Sequence, residues 1–211
     1  PISVVHFLTN RCNARCSFCF IDFENPKTFK NELELHEIDQ LTKSFGNSLL
    51  NVNFTGGEPF ARKDFKEIAK LYVKNTNIQS IYITTNGSLP ERIIEFAESI
   101  NQFDNDIELT FQISIDDFPE KHNKVRKIKN LFDNCHEVFH KLKKIDNNIN
   151  PVICITVTEE NCENIKEIYK VFLEKYKFNS IKCIAVRDEG VYKTPNNLKK
   201  KIFESYSWLS K

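Results

Sequence analysis

Val52-Asn53-Phe54-Thr55-Gly56-Gly57-Glu58-Pro59 reads as a short strand that runs straight into polar and turn residues. Val, Phe and Thr suit a pleated surface, and the two glycines and Pro59 end it. Five other runs share that character. Strands are therefore expected at residues 4–8, 52–55, 81–85, 109–115, 152–157 and 181–186. Between them the apolar residues change to helical spacing. Ile38, Leu41 and Phe45 precede Gly46, a good C-cap, and Phe65, Ile68, Ala69 and Tyr72 share one helical face. Ser88-Leu89-Pro90-Glu91 reads as a capping box for a helix continued by Ile93, Ala97 and Ile100. Leu131, Cys135, Val138, Leu142 and Ile145 form a fourth stripe. Ile165, Ile168, Phe172 and Tyr176 form a fifth, and Leu198, Ile202, Tyr206 and Leu209 a last.

Strand and helix alternating in this way imply an α/β fold of parallel strands with right-handed crossovers. A doubly wound sheet would concentrate its chemistry at one switch point. Here polar residues follow most of the strands: Asn10-Arg11-Cys12, Gly56-Gly57-Glu58-Pro59, Asn86-Gly87, Ser114-Ile115-Asp116-Asp117 and Arg187-Asp188-Glu189. That distribution favours a barrel or partial barrel, whose active face gathers all the strand ends. No linker, repeat or low-complexity tract divides residues 1–211, so one domain is expected.

Composition narrows the partners. Lys plus Arg is 30 and Asp plus Glu is 29, a net charge of +1, which argues against dedicated nucleic-acid binding or a membrane surface held by field. No apolar run approaches the roughly 18 residues of a membrane span. No signal peptide opens the sequence, and seven Cys are too few for a disulfide scaffold. The expected compartment is the reducing cytoplasm, with thiols free for metal.

Cys12-Asn13-Ala14-Arg15-Cys16-Ser17-Phe18-Cys19 follows the first strand. Three soft thiolates this close suit iron–sulfur or zinc. A closed zinc site needs a fourth ligand, for which His6 and His36 are the near candidates. A 4Fe–4S cluster held by three thiolates instead keeps one iron open. A plainer alternative is three free or buried thiols.

Cys-x3-Cys-x-aromatic-Cys after a first strand, then Gly-Gly-Glu-Pro after a second, resembles the radical S-adenosylmethionine (radical SAM) enzymes. The resemblance runs from about Ile2 to Asp188 and implies a partial (β/α)6 TIM-like barrel. It implies that Cys12, Cys16 and Cys19 hold one 4Fe–4S cluster whose open iron is chelated by SAM. Phe18 would present its backbone to the adenine; Gly56, Gly57 and Glu58 would receive the methionyl ammonium, with Pro59 fixing the turn. Thr85-Asn86-Gly87 resembles the family's third-strand ending, and Ser114 and Asp116 its ribose-side polar pair. His122-Asn123-Lys124-Val125-Arg126 is similar to a His-Asp-x-x-Arg segment of peptide-modifying members, with Asn123 in place of Asp. Arg126 would then meet the SAM carboxylate, and residues around Val186 the adenine. The implied reaction is reductive cleavage of SAM to a 5′-deoxyadenosyl radical, which abstracts hydrogen from a peptide or small-molecule substrate. The implied partner is a one-electron donor such as flavodoxin or ferredoxin.

His136-Glu137-Val138-Phe139-His140 competes with this reading. On a helix it places two imidazoles on one face, as in zinc peptidases, with Glu137 as base and Glu159, Glu160 or Glu163 as a third ligand. The stripe Cys135, Val138 and Leu142 should face the barrel and leave the His pair on the flank. Cys135, Cys154, Cys162 and Cys183 are scattered over helices and strands, and no Cys follows Cys183, so a single cluster is expected. An iron–sulfur or zinc-binding module without radical chemistry is the alternative function.

Overall fold

The computed structural model describes residues 1–188, 190–194 and 196–209. Glu189 and the side chains of Tyr206 and Leu209, named above, lie outside the described residues. Six strands form one sheet in the order β1 to β6: β1 Ser3–Thr9, β2 Asn51–Gly56, β3 Ser80–Thr85, β4 Glu108–Ser114, β5 Ile149–Val157 and β6 Ile181–Ala185. Every neighbouring pair is parallel. Sequential order with one hand of crossover sends every helix to the same side, which gives a partial barrel and not a doubly wound sheet. The helices are α1 Leu35–Phe45, α2 Phe65–Asn75, α3 Pro90–Phe103, α4 Pro119–Arg126, α5 Leu131–Leu142, α6 Ile165–Glu174 and α7 Asn196–Leu209.

Alternation along the strands decides what each face of the sheet carries. Val52, Ile81 and Leu109 stand in register, are buried, and pack under the helices. Phe54, Phe60, Phe65, Phe96 and Phe111 form the densest part of that layer, with Phe65 and Phe96 stacked at 4.5 Å. The other register set, Asn53, Tyr82, Thr110 and Asn150, lines the opposite, more polar face. There Tyr82 donates its hydroxyl to Gln112 at 2.7 Å.

Three local expectations change. β5 starts at Ile149, ahead of Pro151. Pro151 lies before the level at which β6 joins, at Ile153, so its missing N–H costs the ladder nothing on that side. Ser88 does not cap α3: the N-cap is Leu89, Pro90 occupies the first turn, and Ser88 Oγ instead accepts from Asn13 Nδ2 at 2.8 Å. The capping box belongs to α1, where Glu34 and Glu37 bond each other's backbone.

Candidate active site at the strand ends

The Cys loop is fastened to β2 by main chain. Gly57 N donates to Thr9 O at 2.6 Å, and Glu58 N to Arg11 O at 2.9 Å. A Cβ on Gly56 would stand 2.2 Å from Thr9 O, and one on Gly57 2.2 Å from Arg11 O. Both glycines are therefore needed where two backbones touch, and Gly56 also has φ of 128°. This contact brings the start of residues 12–19 against the end of β2. Arg62 adds a clamp, donating to Leu8 O at 2.8 Å and Leu33 O at 2.6 Å while paired with Asp64. Nothing in its spacing marks that role in the sequence.

Glu58 ties two strand ends together. Its carboxylate is fully buried and accepts from Phe60 N at 3.1 Å, Thr85 Oγ1 at 2.8 Å and Asn86 N at 2.7 Å. The side chain braces the end of β2 against that of β3, with two donors on Oε1 and one on Oε2. Burial pushes its pKa up to about 7 against those donors. Pro59 opens the short 3-10 turn Pro59–Ala61 that Glu58 caps. The braced Asn86 directs Nδ2 toward Asn13 Oδ1 at 2.9 Å and Cys12 Sγ at 3.7 Å. Cys135 on α5 supports the same turn, donating its thiol to Asn86 O at 3.2 Å.

Asp116 and Arg126 form a second buried brace. Arg126 Nε donates to Asp116 Oδ2 at 2.8 Å, and Thr156 N to Oδ1 at 3.0 Å. Burial alone would raise the Asp116 pKa, but Arg126 and the neighbouring His122 outweigh it and hold the carboxylate below its usual range. Each Asp116 oxygen thus has one donor from the protein. Arg126 spends only Nε: among the described residues its Nη atoms make no hydrogen bond. Its guanidinium lies 5.8 Å from the Phe18 ring centroid, and its carbonyl accepts from Arg15 N in the Cys loop at 3.1 Å. Buried His122 accepts from Asp116 N through Nδ1 at 3.2 Å. Asn123 caps the following helix, accepting from Phe132 N at 2.9 Å. Asn161, which no motif announces, ties the pole together by donating to Asp116 O at 2.8 Å and Thr156 O at 2.9 Å. Ser114 is half-buried at the end of β4, in register with Cys154. Val186 follows β6 and donates its N–H to Val157 O at 3.0 Å.

Cys12, Cys16 and Cys19 are free, half-buried thiols on this loop. Burial pushes Cys12 up to about 11 and raises Cys16 and Cys19, while the Arg126 charge pulls the latter two the other way. Each holds its proton until a metal displaces it. Neither candidate fourth zinc ligand serves: His6 is buried on the helix side against Tyr72 Oη at 3.0 Å, and His36 is exposed beside Glu34. Among the described residues no three His, Cys, Asp or Glu side chains converge on one metal position. Three soft thiols spread over one loop fit a polynuclear cluster, whose irons take separate ligands, better than one zinc ion.

The same test applies to His136 and His140. Their rings lie 4.5 Å apart, but His140 Nε2 contacts Tyr176 O at 3.0 Å and His136 packs on Phe178. Glu159 accepts from Tyr192, Glu160 from Ser17, and Glu163 pairs with Lys201. The pair lies on the flank of α5, away from the strand ends.

A parallel partial barrel with its polar braces and thiols at the carboxyl ends of the strands defines the class of TIM-barrel-like proteins that carry chemistry at that pole. The sequence matches the Radical SAM superfamily over residues 7–172, and the chain belongs to that superfamily. It is similar to a GTP 3',8-cyclase of Haemophilus ducreyi, 32% identical over 148 residues that cover 66% of this chain and 42% of the relative. It is also similar to the sporulation killing factor maturation protein SkfB of Bacillus subtilis, 27% identical over 176 residues, 80% of this chain and 38% of that one. The chain thus spans about two fifths of the length of these curated relatives. In fold it resembles native anSMEcpe with bound AdoMet, with a TM-score of 0.72 and 21% identity over 97% of this chain and 58% of the other. No helix among the described residues is long and apolar enough to cross a membrane.

Proposed function

We propose that the chain is a single radical SAM core that holds one 4Fe–4S cluster through Cys12, Cys16 and Cys19 and cleaves S-adenosylmethionine reductively. A cluster held by Cys12, Cys16 and Cys19 would supply the electron for reductive cleavage of SAM, the chemistry that leads to hydrogen abstraction from substrate. The residues of the chain position the reactants and exclude water. Arg126, held through Nε by Asp116, offers its open Nη donors to the SAM carboxylate, a planar match. Gly56, Gly57 and Glu58 receive the methionyl ammonium, for which Glu58 Oε2, with Asn86 N as its one donor, keeps acceptor capacity. Ser114 serves the ribose, and the backbone at Phe18 and Val186 the adenine.

The observation that carries this reading is one convergence. Three thiols, the turn at Asn86 and a buried arginine with unused donors meet at one end of the sheet. Of the other thiols, Cys154 pairs with Lys182 and Cys183 with Ile155, so these two project from opposite faces, and Cys135 is spent on Asn86 O. This supports a single cluster. Seven free thiols support a reducing cytoplasmic setting. A peptide is the substrate class to test first, on the alignment with the killing-factor maturation protein and the segment from His122 to Arg126.

The test is anaerobic reconstitution followed by dithionite and SAM. About four irons per chain and release of 5′-deoxyadenosine are expected. A stable cluster that leaves SAM intact would make the chain an iron–sulfur module without radical chemistry.

A further inference from the structure

The turn that follows β3 is tied through every polar atom of Asn86, a residue only 5% exposed. Its N–H donates to Glu58 Oε2 at 2.7 Å, and its carbonyl accepts from the Cys135 thiol at 3.2 Å. Its side-chain Oδ1 accepts from Ser88 N at 2.9 Å, which decides which end of the amide is oxygen. Nδ2 therefore points the other way and carries two hydrogens. One goes to Asn13 Oδ1 at 2.9 Å, which leaves the other for Cys12 Sγ at 3.7 Å. Asn13 is held in turn, donating through Nδ2 to Ser88 Oγ at 2.8 Å. Gly87 N donates to Thr85 Oγ1 at 3.1 Å, and that hydroxyl donates to Glu58 Oε1 at 2.8 Å. The direction of the amide is thus set by the protein alone.

The three thiols of the loop are not equal. Cys12 Sγ also accepts from Ala14 N at 3.4 Å, so it has one main-chain and one side-chain donor. Among the described residues no other side chain donates a hydrogen bond to Cys12, Cys16 or Cys19. The one side-chain donor is also the residue on which the ends of β2 and β3, the Cys loop and α5 all converge.

We propose that Asn86 is a positioning residue that acts through Cys12: its amide N–H on Cys12 Sγ raises the reduction potential of the cluster. The inference rests on the cluster reading above and adds to it a residue that sets how readily the cluster is reduced. Reduction moves one electron from an external donor, which is oxidised by one, to the cluster, which is reduced by one. The added negative charge spreads onto the thiolate sulfurs. A hydrogen bond to sulfur therefore stabilises the reduced state more than the oxidised state. A neutral amide held on four sides supplies that bond in a fixed direction and brings no charge of its own.

The experiment uses the reconstituted full chain carrying Asn86→Ala or Asn86→Ser. Ser keeps an oxygen near Ser88 N, and neither side chain reaches Cys12. Each variant is checked for its melting temperature and for about four irons per chain. The readout is the midpoint potential of the cluster, from a dithionite titration followed by electron paramagnetic resonance with SAM left out. At the potential where the wild type is half reduced, the reduced-to-oxidised ratio should fall about tenfold in both variants, a shift of about 59 mV to lower potential for a one-electron couple. A purely structural role would move the melting temperature and leave the potential in place. A potential unchanged or raised in a variant that holds its iron would overturn the proposal. Loss of iron from both variants would overturn it too, since Asn86 would then hold the cluster and not tune it. A wild type that titrates normally but leaves SAM intact would overturn the radical reading alone, and a wild type that takes up no iron would overturn the cluster reading and this inference with it.

Discussion

The Cys loop and the outer flank of α5 both carry short metal-ligand spacings, and they differ in what the rest of the chain brings to them. Around Cys12, Cys16 and Cys19 gather the ends of β1, β2, β3, β4 and β5, joined by the buried carboxylates of Glu58 and Asp116. Around His136 and His140 stand the aromatic rings of Phe139, Tyr176 and Phe178, and the Glu candidates are engaged elsewhere. Spacing along the chain marks both places equally; convergence from several strands marks one. A site is made by the non-local braces that hold it.

Removing a ligand should have the largest effect. Cys12→Ala, Cys16→Ala or Cys19→Ala should take iron after reconstitution from about four per chain to near none. Iron retained at the wild-type level in any one of them would remove that residue from the ligand set. Next comes the brace. Arg126→Ala leaves Asp116 buried and unpaired, and should lower stability by about 3–5 kcal/mol in urea unfolding of the metal-free chain. It should also weaken SAM binding to the cluster-loaded protein.

Acidification tests the buried imidazoles. Burial, aided by the Arg62 charge at His6 and the Arg126 charge at His122, lowers their pKa values to about 4 and about 3. Each is neutral when folded and binds a proton more readily when unfolded. Their stabilising contribution is complete above pH 6.5 and is lost as pH falls toward those folded values. Between pH 7.5 and pH 5 each should cost roughly 2 kcal/mol, while Glu58, whose folded pKa is raised to about 7, gains stability over the same window and offsets part of that loss. In the Glu58→Gln variant the urea midpoint should therefore fall more steeply with acid than in wild type, and a flat midpoint in that variant would contradict the burial of the two rings as neutral groups.

Glu58→Gln sets an amide NH2 against N–H and O–H donors and should cost about 1–3 kcal/mol. The smallest effect belongs to the flank. His136→Ala and His140→Ala should leave SAM cleavage unchanged and move stability by only about 0.5 kcal/mol. A large loss of cleavage with the cluster intact would join the flank to the site.

Much of this was readable in the residues themselves. The six strands were legible because β-branched and aromatic runs end in turn residues, and the observed bounds differ mainly at β5. The helix α4 was not, because Pro119–Arg126 carries Val125 as its one aliphatic side chain and shows no stripe. Cys12, Cys16 and Cys19 were legible from spacing. The roles of Glu58 and Asp116 were legible only as far as their charge, because their partners lie 27 and 28 residues away for Glu58 and 10 and 40 for Asp116. Ser88 looked like a local cap and instead bonds Asn13, 75 residues distant. Arg62 and Asn161 act through backbone carbonyls far along the chain, at Leu8 and Asp116, which no local pattern records.

The most direct test of the central claim is the fate of SAM on the reconstituted chain under anaerobic reduction, measured beside the Cys12/Cys16/Cys19 triple Ala variant. The wild type should release 5′-deoxyadenosine and the variant none. An intact SAM pool in the presence of a reduced, fully loaded cluster would contradict it.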